Sequence, residues 1–157
     1  MEKFYIHMLS WIRQKPWLEK IIVALTKYFP YITFCIYPCV LIYLFGINSP
    51  LLWDTFWRPL AAFLLVSVIR KIINRPRPYE SMPITPLVGH KTGESFPSRH
   101  TVSSMIIALV CFPINAYLGI FALTVAIILS GCRILAGVHF VSDVVVSVII
   151  ALFFYFI

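Results

Sequence analysis

His139 and Asp143 are four residues apart, a spacing that puts two side chains on one face of a helix within hydrogen-bonding reach. A carboxylate that accepts from one imidazole nitrogen fixes the tautomer and leaves the other nitrogen as a nucleophile or base. A structural polar pair at a helix start is the plainer reading of the same spacing. A second stretch, Gly93-Glu94-Ser95-Phe96-Pro97-Ser98-Arg99-His100-Thr101, is polar and opens directly into an apolar run. Pro97 and Ser98 mark a helix start, with the serine hydroxyl as an expected cap. Free amides and the positive end of the helix dipole favour a phosphate-like group there, and Arg99 and His100 add donors in the same turn. His100 has no carboxylate at helical spacing, so beside a bound phosphate it could stay protonated and donate to a leaving oxygen.

Two further cationic features complete the set. Arg70, Lys71, Arg75 and Arg77 place four cations in eight residues, and Pro76 and Pro78 hold Arg75 and Arg77 in extended geometry. Basic residues flanking a span often serve as headgroup anchors. A stiff pair of guanidinium forks also suits phosphate oxygens, whose fixed geometry flexible lysines match less well. Arg133 ends an otherwise uncharged apolar run, either snorkelling to the interface or facing the same anion. His7 and His90 lack partners in sequence and read as interfacial and loop residues.

The elements that must position these residues lie in a membrane. Of 157 residues, 61% are hydrophobic and 12% charged, with a mean hydropathy of +0.91, far outside the range of soluble domains. No secretory-signal pattern opens the chain, because Lys3, Arg13, Lys15 and Lys20 stud its first twenty residues. The net charge of +7 points to anionic lipid or an anionic substrate and not to nucleic acid. Cys35, Cys39, Cys111 and Cys132 have no metal-ligand spacing and read as packing residues.

The expected fold is all-α, a polytopic membrane helix bundle of about five transmembrane helices preceded by N-terminal interfacial amphipathic helices. Residues 1–30 form the interfacial segment, divided by Pro16 and closed by Pro30, and residues 31–157 form the membrane-embedded domain. The spans are expected near 31–47, kinked at Pro38, then 51–73, 98–112, 117–135 and 139–157. With five spans, the end of the second, the start of the third, the end of the fourth and the start of the fifth emerge on one side. Those are the ends that carry Arg70, Arg77, Arg99, His100, Arg133, His139 and Asp143. Ionisable groups at membrane depth are costly, so four helix ends sharing them mark a candidate site. On the far side stand only Asp54 and Arg58, four apart and expected to pair.

Three segments together resemble the type 2 phosphatidic acid phosphatase family. Residues 70–78 resemble its first motif, K-x-x-x-x-x-x-R-P, with Arg70 in place of lysine and Arg77-Pro78 matching. Residues 97–100 resemble P-S-G-H, with Arg99 in place of glycine, and residues 132–143 resemble S-R-x-x-x-x-x-H-x-x-x-D, with Cys132 in place of serine. The resemblance implies an integral membrane lipid phosphatase that needs no metal or other cofactor. His139 would be its phosphorylated nucleophile, Asp143 would orient that imidazole, and His100 would be the general acid. Arg70, Arg77, Ser98 and Arg133 would bind the phosphoryl oxygens, with Arg99, where the motif has glycine, as a further substrate-binding donor read from the residues themselves; the absence of a carboxylate cluster suited to magnesium fits this.

The implied substrate is a lipid phosphate or diphosphate, such as undecaprenyl diphosphate, phosphatidylglycerol phosphate or phosphatidic acid, taken from the bilayer. A non-catalytic binder or transporter of anionic lipid would use the same cations without an oriented nucleophile, and a phosphotransferase would replace water by another acceptor. The resemblance implies a bacterial cell membrane with the site outward. The distribution of charge implies the opposite, because the site side holds twelve of the thirteen Lys and Arg, all but Arg58. Nothing in the residues sets an oligomeric state.

Overall fold

A computed structural model describes residues 1–89 and 91–157, and His90 lies outside the described residues. The described residues form seven helices: α1 (Glu2–Arg13), α2 (Pro16–Gly46), α3 (Leu51–Ile73), α4 (Pro78–Ser81), α5 (Arg99–Cys111), α6 (Ala116–Leu135) and α7 (Val141–Phe156), with no strand among them. Helices are the element of choice for a chain this apolar, since each satisfies its own backbone where water is scarce.

The 13-residue α5 is the axis of the bundle, packed on α2, α3, α6 and α7. Val102, Met105, Ile106, Ala108 and Val110 of α5 form the main core with Ala62 and Val66 of α3, Ala122 and Ala126 of α6, and Ala151 of α7. Alanines at these crossings let helix backbones come close, which is how packing competes with lipid when both are equally apolar. Gly119 serves the same end: a Cβ there would lie 2.6 Å from the Phe112 ring. The outer surface is strongly apolar, with Phe34, Ile42, Phe45, Leu64, Ile127, Ile149 and Phe153 exposed, as a lipid-facing surface requires.

Two helices are long and apolar enough to cross a membrane by length and composition, α2 and α6. Of the other expected spans, α3 has 23 residues and carries Asp54, Arg58, Arg70 and Lys71, while α5 and α7 are apolar helices of 13 and 16 residues. The bounds of α3 agree with the expectation at both ends. Pro50 starts it, and Asn74, in the left-handed conformation at φ 40°, stops it. Asp54 and Arg58 pair at 3.5 Å.

Elsewhere the boundaries differ. Residue 30, expected to close the interfacial segment, falls inside α2, which runs unbroken through both Pro30 and Pro38. A proline removes one intrahelical hydrogen bond and crowds one turn, but without water to compete for the freed carbonyl the helix continues. At 31 residues α2 is about 46 Å long, longer than the ~30 Å of hydrocarbon. Its first turns carry Glu19, Lys20 and Lys27, charges suited to the polar region beyond that hydrocarbon. The expected amphipathic character is clearest in α1, where Tyr5, Leu9 and Ile12 are buried and Lys3, Phe4 and Trp11 exposed.

Cys111 and Cys132 are buried packing residues, whereas Cys35 and Cys39 lie exposed on α2, and all four are free thiols.

Candidate active site

Asp143, in the first turn of α7, is completely buried and is the hub of the polar cluster. Its Oδ2 accepts from the Ser95 hydroxyl at 2.6 Å and from the backbone N–H of Phe140 at 2.9 Å, the N-cap position of α7. Its Oδ1 accepts from Arg75 at 2.8 Å. The Nδ1 of His139 stands 3.5 Å from Oδ2. A carboxylate with several donors is held in one orientation and in its ionised form.

His139 is not on the helix as the spacing predicts; it precedes α7, in the turn that follows α6. The turn needs Gly137, whose φ of 73° lies in the left-handed region. After it, the backbone N–H groups of Val138 and His139 both donate to the Arg133 carbonyl at 3.3 Å. The imidazole still reaches Asp143, with its Nδ1 edge toward the carboxylate and its Nε2 on the opposite edge of the ring. Burial holds the imidazole pKa down at about 4, against the hydrogen bond to Asp143, which acts in the other direction. His139 is therefore neutral at pH 7, the form with a lone pair to give.

The basic motif feeds this point from another helix end. Arg70, at the close of α3, donates to the Pro97 carbonyl at 2.8 Å and lies 3.8 Å from Glu94. Arg77 is almost fully buried, donating through Nε to the Gly93 carbonyl and through a terminal nitrogen to the Val138 carbonyl, both at 3.0 Å. Burial lowers the pKa of Arg77, and Tyr79 and Glu80 oppose the shift. Glu80 also fixes the loop. Its carboxylate accepts from the backbone N–H of Arg77 at 2.8 Å and from that of Gly93 at 2.8 Å. Gly93 sits at φ 66° with Asn74 Oδ1 2.6 Å from where a Cβ would stand, so no other residue fits there.

Ser98 is fully buried at the start of α5. The expected serine cap is not made; the hydroxyl accepts from Thr101 at 3.1 Å instead. The amide of Ser98 donates to Ser147 of α7 at 2.8 Å, and Ser147 in turn donates to the Ser98 and Asp143 carbonyls. These bonds tie the N-termini of α5 and α7 together. The four helix ends identified in the sequence therefore meet, bringing Arg70, Arg77, Ser98, Arg99, His100, Arg133, His139 and Asp143 to one end of the bundle.

Arg133, near the end of α6, is buried, and Arg77 lies within electrostatic reach of Arg70, Arg133 and His139. The Nε groups of Arg70, Arg99 and Arg133 are buried without a hydrogen-bond partner among the described residues, as is that of Arg58 at the far end of α3. Buried donors left unmade are costly, so three in one cluster suit an anion with several acceptor oxygens. Among the described residues no group of three His, Cys, Asp or Glu side chains is placed to hold a metal ion.

Arg75, Ser95, Ser147 and Tyr5 also shape the site. Arg75 looked like one phosphate cation among four; it is instead committed to Asp143 and to the Ser142 hydroxyl at 2.9 Å, with its guanidinium 4.2 Å from the Phe140 ring. The Tyr5 hydroxyl donates to the His139 carbonyl at 3.1 Å across 134 residues, for which the sequence carries no signal. Ser147 had one, since it lies four residues beyond Asp143. His7 is exposed on α1.

Beside the cluster, a cavity of about 550 Å³ runs between α2, α3 and α5, with Tyr37, Leu41, Phe56 and Ile107 on its walls and Arg99 and His100 at its polar end. Phe34, Leu60 and Phe63 on its lining are exposed, so it opens on the apolar outer surface.

Residues 51–157 match the family model described as the PAP2 superfamily. Among solved structures, the chain is similar to LpxE of Aquifex aeolicus, with a TM-score of 0.77 and 23% identity over 98% of this chain and 91% of that one. It is also similar to the first transmembrane PAP2 type phosphatidylglycerolphosphate phosphatase from Bacillus subtilis, with a TM-score of 0.69 and 22% identity over 99% of this chain and 80% of that one. At these identities the two likenesses establish a shared fold. No curated protein matches the sequence.

Proposed function

This chain belongs to the PAP2 superfamily of lipid phosphatases, and from that membership we propose that it hydrolyses a lipid phosphate or diphosphate in a membrane through a phosphohistidine formed on His139. One observation carries the reading: a neutral, buried imidazole backed by Asp143 stands within electrostatic reach of Arg77 and Arg133, with Arg70 beside Arg77. Phosphoryl transfer asks mainly for positioning and for cations around the equatorial oxygens, and arginines supply both.

In the first step Nε2 of His139 attacks phosphorus. The bond from phosphorus to the lipid oxygen breaks, and His100 gives that oxygen a proton. Nδ1 keeps its proton as the ring becomes cationic, and the Asp143 carboxylate, 3.5 Å away, accepts it in a charge-assisted hydrogen bond. In the second step His100 takes a proton from water, the resulting hydroxide attacks phosphorus, the P–N bond breaks, and inorganic phosphate leaves. Arg70, Arg77, Ser98 and Arg133 hold the phosphoryl oxygens throughout, and the tail lies in the cavity that opens on the apolar surface.

Undecaprenyl diphosphate, phosphatidylglycerol phosphate and phosphatidic acid are the substrate classes to try first. The protein, purified in detergent, is expected to release phosphate from at least one of them in the presence of chelator. His139→Ala should lower turnover by about 10³-fold or more, as loss of a covalent nucleophile does. Activity that requires added magnesium, or that persists in the variant, contradicts the mechanism. Lipid binding without turnover in the wild type favours the binder or transporter, and phosphate passed to an alcohol in place of water favours a phosphotransferase.

A further inference from the structure

We propose that Arg99 binds a second phosphate of the substrate, the one that stays on the lipid after hydrolysis, and so sets a preference for lipids that carry two phosphates over those that carry one. This rests on the reading above, in which the terminal phosphoryl group meets His139 and the tail lies in the cavity.

Arg99 occupies the junction between the two. Among the described residues it is the one guanidinium lining the cavity, beside His100 at its polar end. Its partners differ from those of the other arginines. Arg70 donates to the Pro97 carbonyl, Arg75 to Asp143, and Arg77 to the carbonyls of Gly93 and Val138. Arg99 has no carboxylate within salt-bridge distance among the described residues; its guanidinium lies 5.2 Å from the Phe63 ring and its Nε is buried without a hydrogen bond. Arg99 also lies within electrostatic reach of Arg70. A cation held against an aromatic face, repelled by a neighbouring arginine and short of acceptors, is complementary to an anion. The second family motif has glycine at this place, so the guanidinium is an addition of this chain to the phosphoryl-binding set.

A lipid with its terminal phosphoryl group at His139 and its tail in the cavity runs past the first turn of α5. His100 there meets the leaving oxygen, and Arg99 meets the group beyond it. In a diphosphate that group is the second phosphate. In phosphatidylglycerol phosphate a glycerol intervenes before a phosphodiester, whose charge the long arginine side chain can also reach. In a simple monophosphate the group is uncharged, and the guanidinium keeps its unmet donor. A site built to bond a polar group discriminates against substrates that lack it.

The test compares kcat/KM for phosphate release within two matched pairs: a polyprenyl diphosphate with the monophosphate of the same chain, and phosphatidylglycerol phosphate with phosphatidic acid of the same acyl chains. The wild type is expected to favour the two-phosphate member by about tenfold or more in at least one pair, and that pair identifies whether the second phosphate is adjacent or glycerol-spaced. Arg99→Gln should lower the ratio by about 10- to 100-fold, and Arg99→Lys should retain most of it. Because each ratio comes from one preparation, it does not depend on how much of the variant folds. A ratio near one in both wild-type pairs, or a ratio unmoved by Arg99→Gln, overturns this proposal and leaves the phosphatase reading in place. No phosphate release from any of the four lipids by the wild type overturns both.

Discussion

Arg75 ties the loop before α4 to the carboxylate that backs the proposed nucleophile, His139. Its guanidinium meets Oδ1 of Asp143 at 2.8 Å and packs 4.2 Å from Phe140, while Ser95 and the Phe140 amide take Oδ2. Asp143 is thus held by groups other than the histidine, and the imidazole can change charge during the reaction without the carboxylate moving. Arg75 is a positioning residue in this account, acting through Asp143. Arg75→Gln should lower kcat by about 10- to 100-fold while KM stays within about threefold, since the charge-assisted bond it removes does not touch the substrate. Arg75→Lys should recover part of the loss. A variant in which KM rises as kcat holds would assign Arg75 to the phosphate instead.

The helices deliver these residues through their ends. α3 closes one turn beyond Arg70, α5 and α7 begin at Arg99, just after Ser98, and at Val141, and α6 closes beyond Arg133, so a small number of caps and turns sets the whole constellation. α1 adds a brace from outside the bundle. Tyr5 reaches the His139 carbonyl, Leu9 lies against Gly137, and Ile12 packs with Ala136 and Val138. Tyr5→Phe should destabilise the protein by about 1 kcal/mol, the typical net worth of one buried hydrogen bond. It should also lower kcat several-fold with KM little changed. Thermal unfolding in detergent and steady-state kinetics check this together; a variant equal to the wild type in both would remove α1 from the account of the site.

Much of this layout was legible in the residue order. Pro50 and Asn74 bracket α3, the proline before Ser98 announces α5, and the four-residue step from His139 to Asp143 marks the pair. The legible features are local ones, where a cap, a breaker or a spacing acts within one turn. The continuity of α2 through Pro30 was not legible, because proline weakens a helix by an amount that surroundings can offset. The docking of Tyr5 and the choice of Arg75 over the other cations for Asp143 depend on contacts across 134 and 68 residues, and no spacing rule reaches that far.

For the whole molecule, the convergence of the ends of α3 and α6 with the starts of α5 and α7 suits a chain that crosses the bilayer five times, through α2, α3, α5, α6 and α7. The loop before α5 and the turn between α2 and α3 then lie on opposite faces. Single cysteines placed at Lys91 and Ser49, treated with a membrane-impermeant thiol reagent in sealed vesicles, should label from opposite sides. Labelling of both from one side contradicts five crossings. The face on which Lys91 labels also decides between the inward site that the basic residues favour and the outward site expected from the family resemblance.

The central claim is a covalent bond between phosphorus and His139, and trapping that bond tests it most directly. Rapid quench of the enzyme with a lipid substrate labelled in its terminal phosphate, followed by peptide mapping under alkaline conditions that preserve phosphohistidine, should place the label on His139 in the wild type and nowhere in His139→Ala. The label should chase into inorganic phosphate at a rate no slower than turnover. Label on another residue, or turnover with no labelled protein at any quench time, would contradict the account.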